Sequence, residues 1–83
     1  MGKGDEMKIT LFSTTKLITM VVDGKEIPAR IWQGRTASGV KCHAYITRIA
    51  VAEGEDASEF NAEMQICEMP STEIQEIPLR LIL

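Results

Sequence analysis

Little in this sequence offers itself for catalysis or for covalent bracing. Two cysteines, one histidine and four aromatic side chains are scattered over 83 residues, so nucleophile–base pairs and metal clusters have few members to draw on. Cys42 and Cys67 are not preceded by the charged, apolar and small-residue order of a secretory signal. Reduced thiols, no structural disulfide and a cytoplasmic location are therefore expected. No apolar run approaches the roughly 20 residues that a membrane helix needs, so no membrane contact is expected. A chain of this length supports one small domain with limited burial, and a second subunit is the most available source of more.

Charge of one sign is also missing over long stretches. Residues 25–48 carry Lys25, Arg30, Arg35, Lys41 and Arg48 against Glu26 alone, a balance of +4. From residue 52 onward eight carboxylates face Arg80, a balance of −7, and the net charge is −3. Such a division steers acidic ligands toward one region and away from another.

What is present reads as β structure. The polar, glycine-containing residues 1–6 look like a disordered or tag-like extension, and residues 7–83 like a single small β-rich domain. "KITLFS" alternates as a strand does, and "KLITMVV" leads into Asp23-Gly24 and "KEIPARIW". Asp-Gly between β-branched residues is a strong hairpin signal, because both central positions of a type I′ turn need positive φ. The turn sets Val22 opposite Lys25, Met20 opposite Ile27, Ile18 opposite Ala29 and Lys16 opposite Ile31. Ile18, Met20, Val22, Ile27, Ala29 and Ile31 then share one apolar face. "GRTASG", taken as a loop from Gly34 to Gly39, sets Ile31 opposite Cys42 and puts Cys42, Ala44 and Ile46 on that core. "ASEFNAEMQICEM" wastes fewer apolar residues as a strand than as a helix over about 57–68 capped by Asp56. "PSTEIQE" suits one helical turn and "IPLRLIL" a closing strand. The expected fold is mainly β: a small antiparallel meander or partly open barrel of about five strands, with a short helical turn near the C-terminus. The alternative is α+β, with the helix at about 57–68.

On this register the second sheet face gathers Arg30, Trp32, Lys41, His43 and Tyr45. Aromatics beside cations form interface hot spots or stack bases, so this face is the expected contact surface. The competing structural reading buries Trp32 and Tyr45 as a second small core. Gly34, Arg35, Thr36, Ser38 and Gly39 form a candidate anion-binding loop, although it lacks the lysine and following helix of a P-loop. Cys42 and His43 are adjacent, but consecutive strand residues point to opposite faces and do not readily hold one ion. Neither a metal nor another cofactor is expected, and no base and nucleophile pair up.

The pieces "IPARIWQGRTASG", "ITRIAV", "EFNAEM" and "IPLRLIL" resemble small uncharacterised accessory proteins of phages and prophages, over about residues 7–83. The resemblance implies a location in a bacterial host cell and a partner belonging to that host. The expected function is a non-enzymatic module, small enough to be expected as a homo-oligomer, that binds a host protein and inhibits a host defence system. The alternative is a protein that sequesters a nucleotide or single-stranded nucleic acid on the same face.

Overall fold

The computed structural model describes residues 6–83. The expected N-terminal extension therefore lies, but for Glu6, outside the described residues. Elements run β1 (Ile9–Val22), β2 (Lys25–Thr36), β3 (Lys41–Ile46), α1 (Ala57–Glu63), α2 (Thr72–Gln75) and β4 (Arg80–Ile82). The four strands form one curled half-barrel sheet in the order β3-β2-β1-β4. The mainly β class is as expected, but the sheet is mixed, because β4 lies parallel to β1.

The first hairpin forms as its turn residues require. Asp23 and Gly24 have φ of 52° and 78°, and Val22–Lys25, Met20–Ile27 and Ile18–Ala29 are opposed. The expected Lys16–Ile31 pair does not form. Between Ser13 and Leu17 the register shifts, so that Thr14, Thr15 and Lys16 together face Ile31. Two extra residues keep the alternation of faces in phase, whereas one would have inverted it. The bulge satisfies its own polar groups. Thr14, fully buried, donates from Oγ1 to the Ile31 carbonyl at 2.6 Å and accepts from the Lys16 amide at 3.2 Å. "KITLFS" and "KLITMVV" thereby become one bent strand instead of two.

The inner face of the sheet carries the core. Ile18, Met20, Ala29 and Ile31 pack with Ile74, and Val22, Ile27, Tyr45, Ile77 and Leu81 flank them. Ile74 arrives from α2, whose Ser71 cap accepts from the Ile74 amide, so the expected helical turn is present. The segment leading to it is tied to the sheet at both ends. Glu68 bridges β1 through Glu68 N to Ser13 O and Thr15 N to Glu68 O, and Gln33 bonds Glu68, Met69 and Ser71.

Residues 57–63 form a helix, not the strand that alternation favoured. Asp56 accepts from the Ser58 and Glu59 amides, satisfying donors that a helix start leaves open. Phe60 and Met64 are half-buried at helical spacing. The helix ends at Glu63, so Ile66 never has to fit its stripe and stays 72% exposed.

Candidate functional site

The β2–β3 hairpin decides which side chains can act together. Its loop is Ala37–Gly39, not Gly34–Gly39. Thr36 N donates to Val40 O at 3.0 Å, Gly39 N donates to Thr36 O at 2.9 Å, and Gly39 has φ of 92°. This is a three-residue loop closed by a left-handed glycine. The shorter loop sets Ile31 opposite Tyr45, Gln33 opposite His43 and Arg35 opposite Lys41. Relative to the expected register the shift is three residues, an odd number, so every β3 side chain changes face.

The expected contact face is therefore divided. Lys41, His43 and Tyr45 stand on the inner face with Ile31 and Gln33, while Arg30 and Trp32 stand on the outer face with Cys42, Ala44 and Ile46. Cys42 is half-buried on the outer face instead of lying in the core. Tyr45 packs against the core cluster, and its hydroxyl is 3.1 Å from His43 Nε2, the two rings meeting edge to face at 5.4 Å. Arg30 braces the bulge, since its Nη1 donates to the Thr14 carbonyl there at 2.6 Å and lies 3.5 Å from Cys67 Sγ. Trp32 is half-buried opposite Ser13 and Ala44.

The candidate anion loop is likewise redistributed. Gly34, Arg35 and Thr36 belong to β2, and only Ser38 and Gly39 lie in the loop. Gly34 is needed for space: a Cβ there would lie 1.7 Å from the Thr10 carbonyl oxygen, where β1 crosses close to β2. Thr36 Oγ1 accepts from the Val40 amide at 3.1 Å and shares a hydrogen bond with Ser38 Oγ, so the loop's hydroxyls serve the turn itself.

A cleft of about 680 Å³ opens on the inner face beyond the core. Thr10, Phe12, Gln33, Arg35, Lys41 and His43 form its sheet wall, with Glu68, Ser71, Glu73 and Ile74 across from them. Arg35, Lys41 and His43 thus come together in space, and Phe12, which sequence reasoning passed over, joins them with 51% of its surface exposed. Gln33 was also missed. Its role depends on contacts with residues more than thirty positions away, which no local pattern announces.

Comparison with known proteins adds no relative. No family model, curated protein or solved structure matches the chain.

Two further features bear on chemistry. Among the described residues, no group of three or more His, Cys, Asp or Glu is placed to hold a metal ion. The sheet itself separates His43, on the inner face, from Cys42 and from Cys67, which contacts the outer-face groups of Ser13 and Arg30. No helix among the described residues is long and apolar enough to cross a membrane.

Proposed function

We propose that this protein is a non-enzymatic binding module that contacts a protein partner at the β3 end of its sheet, through Lys41, His43, Tyr45 and the adjoining cleft. The observation that carries this reading is the free edge. β3 terminates the sheet, and among the described residues no strand covers its outer side. Unpaired strand edges template the addition of another chain, and natural sheets commonly blunt them with charges or bulges. Lys41 is the charge on this edge, and no bulge interrupts the β2–β3 ladder. The resemblance to phage accessory proteins makes the partner a host protein, with inhibition of a defence system as the concrete form.

A second reading keeps the cleft and changes the ligand. Phe12 beside Arg35, Lys41 and His43 can stack a base while the cations meet phosphates. Glu68 and Glu73 on the opposite wall oppose an anion there, which ranks this reading below the first. Self-association through the same edge is a third occupancy and accounts for a homo-oligomer.

The test uses His43→Pro, which removes one outward-facing amide donor from an edge where proline is tolerated. Affinity capture from bacterial lysate by the wild type should enrich a protein that His43→Pro fails to retain, while Trp32→Ala on the outer face retains it. Capture unchanged by His43→Pro refutes the reading. Light scattering on the purified chain separates self-association from binding to a different protein.

A further inference from the structure

We propose that the partner enters as an added β-strand, an extended segment alternating carboxylate and apolar side chains, laid along Lys41, His43 and Tyr45. This rests on the reading of β3 as the contact edge. The hydrogen-bond phase of the hairpin identifies the free groups. Thr36 N donates to Val40 O, so Gly34–Cys42, Trp32–Ala44 and Arg30–Ile46 are the pairs that exchange backbone bonds across the ladder. The amides and carbonyls of Lys41, His43 and Tyr45 consequently point out of the sheet. The rival edges are shorter: β4 has three residues, and the uncovered end of β1 turns only Ile9 and Leu11 outward.

Charge then specifies the occupant. Arg35 and Lys41 are directly opposed in a pair that does not exchange backbone bonds, the arrangement that brings side chains closest. Like charges so placed repel, and among the described residues neither has a salt-bridge partner, the only ion pair being Arg80 with Glu26. His43 follows on the same face, and Arg48 lies just past the strand. Glu68 and Glu73 are the carboxylates facing this group. Glu68 is anchored by its backbone on the far side of β1 and its carboxylate accepts from Gln33 Nε2 on β2, so it approaches from the β2 side, whereas an added strand would lie on the opposite side of β3. Alternate side chains of such a strand therefore meet Lys41 and His43 on the inner face, where carboxylates relieve the repulsion. The intervening ones meet Cys42, Ala44 and Ile46, where apolar side chains fit. A second copy of β3 satisfies the backbone equally well but brings a second Arg35–Lys41 pair and no carboxylate, which makes it the weaker occupant.

The experiment is an amide NMR titration with a blocked peptide of alternating Val and Glu, alongside the Val–Lys peptide, an acidic peptide N-methylated at alternate amides, and ATP. The acidic peptide should shift the Lys41, His43 and Tyr45 amides and bind about tenfold or more tightly than the Val–Lys peptide at low salt. N-methylation on the bonding edge should abolish binding, and Lys41→Glu, an exposed site, should reverse the charge preference while its relief of the repulsion with Arg35 keeps the melting temperature at or above that of the wild type. Failure of the acidic peptide to bind, equal affinity for both peptides, retained binding after N-methylation, or ATP shifting the same amides more strongly than the acidic peptide each overturns the acidic-strand inference. So does self-association through β3 that the acidic peptide does not compete away. The broader reading of β3 as a protein-contact edge falls separately, when lysate capture is indifferent to His43→Pro.

Discussion

Replacing Gly34 with alanine is the sharpest test of how the sheet is built. The new Cβ would lie 1.7 Å from the Thr10 oxygen, 2.8 Å from its carbonyl carbon and 2.9 Å from Leu11 Cα. All three are backbone atoms, so no side chain can rotate aside. Restoring ordinary contact requires β1 and β2 to part by more than about 1 Å at this point, far more than close-packed neighbours yield without cost. The pairs on either side, Thr10–Arg35 and Phe12–Gln33, hold the two strands together there. Opening them forfeits several backbone hydrogen bonds worth about 1 kcal/mol each net, and water recovers part of that at an exposed strand end. A loss of about 2 to 4 kcal/mol follows, at the upper end of overpacking costs. For a domain of this size each kcal/mol lowers Tm by about 4 to 8 °C, so thermal melts followed by circular dichroism should show a drop of roughly 8 to 32 °C. Gly39→Ala is the control. Nothing lies within 4 Å of its added methyl, and only the φ of 92° opposes it. That conformation costs an L residue about 1 to 2 kcal/mol. If Gly34→Ala melts no lower than Gly39→Ala, the close crossing of β1 and β2 is wrong.

Two further substitutions address the bulge and the first helix. Thr14→Val keeps the shape of a fully buried side chain but leaves the Ile31 carbonyl and the Lys16 amide without their partner, and urea denaturation should register a loss of about 1 to 3 kcal/mol; a variant as stable as wild type would remove Thr14 from the account of the bend. Asp56 is held below its ordinary pKa of 3.8 first by the Ser58 hydroxyl and then by the Glu59 and Ser58 amides, so its cap stabilises α1 above that pH and is lost as pH falls through the lowered folded value. Asp56→Ala should therefore reduce α1 helicity, read from backbone chemical shifts, at neutral pH and match wild type in strong acid, whereas a difference that persists unchanged into acid refutes the carboxylate as its source.

Several features were legible in the chain because short-range physics decides them. Asp23-Gly24 demands positive φ at two consecutive positions, which selects one hairpin and, with it, the pairing of Ile18, Met20 and Val22 with their partners. Ser71 caps one turn for an equally local reason. Elsewhere two local solutions were close in energy, and contacts between distant residues chose. "GRTASG" closes as six residues or as three, and the three-residue loop, which lets Gly34, Arg35 and Thr36 continue pairing, moves Lys41, His43 and Tyr45 to the inner face and leaves Arg30 and Trp32 on the outer one. Residues 57–63 alternate well enough for a strand, yet among the described residues they join none of the four strands, and the Asp56 cap satisfies the opening amides of a helix instead. The bulge at Thr14–Lys16 depends on a carbonyl seventeen residues away, and the strap carrying Ile74 depends on Gln33, thirty-eight residues before Ser71. Sequence by itself determined the first hairpin's share of the core, the first turn and the mainly β class, since periodicity and backbone sterics act over a few residues. Only the tertiary structure decided which cations share a face, because an odd or even shift in strand register is settled by the summed pairing of whole strands and leaves almost no local trace.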